Sequence, residues 1–188
     1  MTRAFVAVVP PPEVLDAVEA AVAPLRSLEP EARWTRPEQR HVTLQFLGDH
    51  VDVDAVVDAL GDLALTTGRV RLGGGGAFPS VRRGRILWLG FAVGGPWLAQ
   101  AAAAIGALLA PLGHPPDDRP FHPHLTLARW KRPTDLAVLV DALGERPVGG
   151  EWAVGEIAVF ESRTHAEGAE HLLRGRLPLA TPGPAEGN

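Results

Sequence analysis

The chain has no cysteine and no tyrosine, and only one lysine, one methionine and three serines among its 188 residues. Without cysteine there are no disulfides, no thiol nucleophile and no Cys-ligated zinc or iron-sulfur centre. The single lysine, Lys131, precedes Arg132-Pro133 and stands in no Gly-x-x-x-x-Gly-Lys-Ser/Thr loop, which excludes Walker-type ATP use and a nucleotidylated ligase lysine. Ser27, Ser80 and Ser162 lie outside any Gly-x-Ser-x-Gly elbow, which argues against an α/β-hydrolase. An excess of positive charge is also missing. Lys+Arg number 18 against 22 Asp+Glu, for a net charge of −4. General coating of nucleic acid needs a broad basic surface, so any phosphate site must be local. The N-terminus lacks a signal-peptide cleavage region, and the protein is expected in the cytoplasm. One uncharged stretch, Ile86 to Gly113, is long enough to span a bilayer. Gly94, Gly95 and Pro96 divide it into a strand-like run over 86–93 and an Ala-rich helix over 96–110, so no membrane association is expected.

What is present is enough apolar residue, 46% against 21% charged, to pack a core. Period-two and period-3.6 patterns predict strand 3–9, helix 12–22, a short segment at Arg33-Trp34, strand 41–47, helix 53–65 and a Gly-rich strand 69–78 whose Gly73 to Gly76 run suggests a bulge or close backbone approach. The second half repeats the order: strand 86–93, helix 96–110, strand 121–129, helix 134–143, strand 151–160 and an extra strand 170–177. The clearest token of duplication is His41-Val42-Thr43-Leu44 against His124-Leu125-Thr126-Leu127, 83 residues apart. Residues 1–180 are expected to form one bilobal α+β domain of two β-α-β-α-β lobes, roughly 1–80 and 81–180, consecutive or interleaved, with a disordered tail over 181–188.

In a strand, residues two apart share a face, so His41 and Thr43 point one way, and His124 and Thr126 do the same in their strand. Two such pairs in equivalent positions put two imidazoles and two hydroxyls around one cleft, with a phosphate as the natural occupant. The hydroxyls can donate to non-bridging oxygens, and one imidazole can act as base while the other acts as acid. The same groups could hold a metal ion, and His122-x-His124 has same-face spacing. Against that, threonine is a poor ligand, neither motif contains an acid, and Pro123 makes His122 a loop residue, so no metal is expected.

These residues resemble the two-histidine (2H) phosphoesterase superfamily, in particular its bacterial RNA 2′,3′-cyclic phosphodiesterase branch, historically called 2′-5′ RNA ligase. His41-Val42-Thr43-Leu44-Gln45-Phe46-Leu47-Gly48 is similar to that branch's His-x-Thr-Leu-x-Phe-Leu-Gly, and Pro123-His124-Leu125-Thr126-Leu127-Ala128-Arg129 to its Pro-His-x-Thr-Leu-x-Arg. Arg3 to Val8, Gly76 to Pro79, Ile86 to Gly90, and Phe160-Glu161-Ser162 with Gly168 support the match. The resemblance implies antiparallel sheets with the active site in the cleft between lobes, and cofactor-free hydrolysis of a 2′,3′-cyclic phosphate to a 2′-phosphate by an enzyme acting on RNA ends or small cyclic nucleotides; the protein is expected to be a monomer. It makes His124 the general base, His41 the general acid, Thr43 and Thr126 the phosphate-oxygen ligands, and Arg129 and Phe46 substrate-binding residues. Period-two counting instead puts Phe46 on the core side with Val42 and Leu44, and Arg129 could be a strand-end surface arginine. Where the family often has a tyrosine, this chain has His171, read as a strand-surface residue. Alternatives are reversible ATP-independent 2′-5′ joining of RNA ends and a non-catalytic nucleotide- or RNA-binding module.

His50, His114 and His165 read as solvated loop residues. Arg82, Arg83 and Arg85 read as a solvated turn or an RNA-backbone contact. The five tryptophans read as core, with Trp130, beside Arg129, as the exception.

Overall fold

The computed structural model describes residues 3–165 and 168–181; most of the expected 181–188 tail lies outside them. The chain runs β1 (Arg3–Val8), α1 (Pro12–Val22), β2 (Arg33–Trp34), β3 (Val42–Asp49), α2 (Val53–Leu60), β4 (Gly68–Phe78), β5 (Gly84–Val93), α3 (Gly95–Leu109), β6 (Leu125–Thr134), α4 (Ala137–Leu143), β7 (Pro147–Val154), β8 (Glu156–His165) and β9 (Gly168–Pro178). Pro12 opens α1 in its first turn, where no N–H is missed. Asp52 caps α2 by accepting the Ala55 N–H at 3.1 Å. Gly94 starts α3 at φ +82°, where a Cβ would sit 2.3 Å from the Arg69 carbonyl oxygen.

The strands form one antiparallel sheet in the order β7-β4-β5-β6-β3-β1-β8-β9, with β2 added to β6. It has two arms. β4, β5, β6 and β7 make one, β1, β3, β8 and β9 the other, and a single residue pair, Val42 with Leu125, joins them. Helices α1 and α4 pack on β7 and β4, while α3 packs on β3 and α2 packs on α3, β8 and β9. The chain therefore crosses between arms repeatedly: α1 follows a strand of one arm and packs on the other, and so does α3.

Two expectations change. The strand expected over 151–160 is two strands, β7 and β8, on opposite arms, separated by Gly155. The adjacent exposed pair Gly155-Glu156 breaks the alternation there. The strand expected over 121–129 begins at Leu125, because Pro120 and Pro123 have no N–H to give a ladder, and it continues to Thr134. The Gly-rich run does contain the expected irregularity: the β4–β5 register shifts between Leu72 and Gly75, and the Trp88 ring lies over Gly76, where a Cβ would be 2.2 Å from it. Gly95–Leu112 is long and apolar enough to cross a membrane by length and composition. In the fold, however, Leu98, Ala101, Ile105 and Leu109 are fully buried.

Candidate active site

The Val42–Leu125 bridge sets the geometry of the cleft. It is antiparallel, so one step along each strand brings Thr43 beside His124 and Thr126 beside His41, with a local pseudo-two-fold axis between them. Beyond this pair the strands diverge. The V between them is a cleft of about 380 Å³ lined by His41, Thr43, Phe46, His124, Thr126, Arg129 and His171, with a wall from Arg33 to Arg36 and Gln39.

Both histidines sit immediately before their strands and are oriented in the same way. His41 Nδ1 lies 2.8 Å from the Gln39 carbonyl oxygen and His124 Nδ1 lies 2.8 Å from the His122 carbonyl oxygen. A carbonyl only accepts, so Nδ1 carries the proton in each ring and Nε2 is the free nitrogen. Phe5 stacks on His41 with ring centroids 4.6 Å apart, and Phe78 meets His124 edge-on at 5.0 Å. The turn carrying Gln39 is tied down by Arg40, whose side chain is wholly buried and donates to Glu19 on α1 at 2.6 Å.

Burial pushes the His41 pKa down to about 4, opposed by the Gln39 carbonyl and reinforced by His171, Arg129 and His124. His124 is lowered for the same first reason, opposed by the His122 carbonyl and reinforced by the neighbouring His122 and Arg129 side chains, and burial also lowers Arg129 and His171. Among the described residues no carboxylate lines the cleft, which imidazole and guanidinium groups line instead, an arrangement suited to an anion.

Two matching bulges place the fifth residue after each histidine. On β3, Val6 pairs with Gln45 and Ala7 with Thr43, leaving Leu44 extra; on β6, Leu87 pairs with Ala128 and Trp88 with Thr126, leaving Leu127 extra. Each extra residue reverses the alternation. Leu44 and Gln45 are buried in succession, as are Leu127 and Ala128, and Phe46 and Arg129 emerge on the histidine face. This corrects the period-two placement of Phe46, which is 72% exposed and lines the cleft. It corrects Trp130 too: the ring is buried, with its indole N–H donated to Glu29 at 3.2 Å, while Trp34 is the tryptophan in the cleft.

Of the remaining residues, His171 is not a plain strand-surface side chain but a cleft residue whose ring meets His41 perpendicularly at 5.3 Å. His122 stays in the loop, against Trp88. Arg82, Arg83 and Arg85 are exposed and line no part of the cleft. His50 is an exposed loop residue, the His114 carbonyl accepts from the buried Gln45 amide, and His165 ends β8, its side chain lying outside the described ones. Sequence reasoning missed the Trp34, Thr35, Arg36 and Gln39 wall, whose one available signal was the isolated β-type pair Arg33-Trp34.

A family model described as the 2′-5′ RNA ligase superfamily matches residues 10–166. A protein of Aeropyrum pernix named RNA 2′,3′-cyclic phosphodiesterase is 31% identical over 150 residues, covering 79% of this chain and 80% of that protein. One of Thermus thermophilus with the same name is 32% identical, covering 94% and 90%. Among solved structures, a Thermus thermophilus protein superposes with a TM-score of 0.75 at 30% identity, over 96% of this chain and 100% of that one.

Proposed function

The chain belongs to the 2′-5′ RNA ligase superfamily, and from that premise we propose that it hydrolyses RNA 2′,3′-cyclic phosphate ends to 2′-phosphates by metal-independent acid-base catalysis between His41 and His124. The activity follows the name its relatives share. The observation that carries the mechanism is the pair of imidazoles held in the same tautomer by backbone carbonyls on either side of the Val42–Leu125 bridge, each beside a threonine. The phosphate sits between them with Thr43 and Thr126 donating to its non-bridging oxygens, where charge builds up. Nε2 of His124 takes a proton from water, the water oxygen bonds to phosphorus, and the bond to O3′ breaks. Nε2–H of His41 gives its proton to the leaving O3′, which ends as a 3′-hydroxyl. Arg129 neutralises the phosphate, and Phe46, exposed at the mouth, offers a face to the terminal base. Water, two imidazoles and two hydroxyls complete the reaction without a cofactor.

The deciding experiment incubates pure protein in EDTA with 2′,3′-cyclic AMP and with a short RNA bearing a 2′,3′-cyclic end, and resolves the products by phosphorus NMR. A 2′-monophosphate is expected, together with losses of roughly 10² to 10⁴ in rate for His41→Ala and for His124→Ala. Turnover that appears only with added divalent ion, or near-wild-type rates in either variant, would overturn the mechanism. Adding an RNA with a 5′-hydroxyl reports whether the same site also runs towards 2′-5′ joining.

A further inference from the structure

We propose that His171 is a third phosphate-binding group of this cleft, donating a ring N–H to the same phosphoryl group that Thr43 and Thr126 hold. The proposal rests on the reading of the cleft as a phosphate site. His171 stands on β9, the outermost strand of its arm, where it pairs with Ser162 of β8. Two strands, β8 and β1, lie between it and β3, yet the curl of the arm brings its ring edge-on to Phe5 at 4.9 Å and to His41 at 5.3 Å. It lines the cleft together with both motif pairs.

The ring's two nitrogens are not equivalent. Nδ1 is buried and has no hydrogen-bond partner among the described residues. A neutral imidazole has one N–H and one bare nitrogen, and a buried N–H with nothing to donate to is a poor place for the proton. The proton therefore belongs on Nε2, and the donor is the edge of the ring away from the buried nitrogen. Among the described residues no carboxylate lines the cleft to receive it: with His171 the lining includes His41, His124 and Arg129 and, from the wall, Arg33 and Arg36. An anion between the motif residues is the acceptor that the arrangement lacks. Setting an imidazole half-buried against Phe5 and His41, at a cost to its own basicity, is unexplained by packing alone, since an apolar ring would fill the same space without that cost.

The test measures inorganic phosphate binding by titration calorimetry, with no turnover required, for the wild type, His171→Phe and His171→Gln. Phe keeps the ring and removes the donor; Gln keeps an N–H donor and removes the ring. Loss of one hydrogen bond to a charged group predicts phosphate binding about 10- to 100-fold weaker in His171→Phe, with most of it restored in His171→Gln. His171→Met, which fills the space without a donor, serves the same comparison if the Phe variant does not fold. Wild-type affinity in the donor-less variants, or equal losses in the Phe and Gln variants, would overturn the proposal, the latter because it would mean that packing and not the N–H is what matters. A wild type that binds phosphate but hydrolyses no cyclic phosphate would sink the catalytic reading and leave this one standing.

Discussion

At the level of single residues, the cleft concentrates imidazoles that hold protons weakly. His41 is lowered to about 4, and burial lowers His124 and His171 too, so all three are neutral in the free protein near pH 7. On the proposed mechanism the general acid must then acquire its proton, and a bound phosphate anion favours that. It follows that kcat/KM, which reports the free protein, should fall as pH rises above about 6.5, the ordinary imidazole value, while the alkaline limb of kcat lies at higher pH. Coincident limbs in the two profiles would contradict this. The same groups act on stability. In the unfolded chain His41 returns to about 6.5, so between that pH and about 4 the unfolded state binds more protons than the folded one. Stability is therefore present above about pH 6.5 and is lost as pH falls towards 4, by on the order of 3 kcal/mol from His41 alone. Urea unfolding at pH 7 and pH 4.5 should show this loss in the wild type and a smaller one in His41→Gln; equal losses would mean that His41 is not the group responsible.

At the level of elements, the paired bulges decide which side chains reach the cleft. Arg129 and Trp130 are neighbours on β6, yet one lines the cleft and the other is 8% exposed and packed in the core. Arg129→Ala should raise KM for the cyclic phosphate with little change in thermal stability, whereas Trp130→Ala should cost about 3 to 5 kcal/mol of stability, as buried aromatic truncations do. Kinetics and thermal melts on the two variants check the split, and a destabilised Arg129→Ala with normal kinetics would place the arginine wrongly. The meeting of His41, Thr43, His124 and Thr126 in one cleft was legible because spacing of two within a strand survives any register. Phe46 and Arg129 were legible only through family resemblance, since a bulge is a property of two strands together: Leu44 is extra only because of how Val6 and Ala7 pair across from it. His171 was misplaced for a related reason, since its contact with His41 depends on the curl of β1, β8 and β9 and not on its own alternation.

At the level of the whole molecule, the duplication was readable from His-x-Thr in both halves and from the repeated element order, because local periodicity specifies each element. The assignment of elements to arms was not, because α1 and α3 pack on the arm opposite the strand they follow, and β7 and β8 part company at Gly155. That exchange has a thermodynamic consequence. An arm cannot unfold without stripping the helices that its partner's chain segments supply, so the apolar cores of both arms are lost together. Trp34, Trp88, Trp130 and Trp152 stand on strands β2, β5, β6 and β7 of one arm, the ring of Trp97, on α3, lies against Gly68 of β4 in that same arm, and the strands β1, β3, β8 and β9 of the other contain no tryptophan. Tryptophan fluorescence therefore reports mainly one arm, while far-UV circular dichroism reports both. Denaturant curves from the two probes should coincide in midpoint and slope at neutral pH. A dichroism transition that continues after the fluorescence change is complete would show that the arm carrying His41 holds together on its own, and that the single Val42–Leu125 bridge, not the exchanged helices, is the measure of how strongly the arms are coupled.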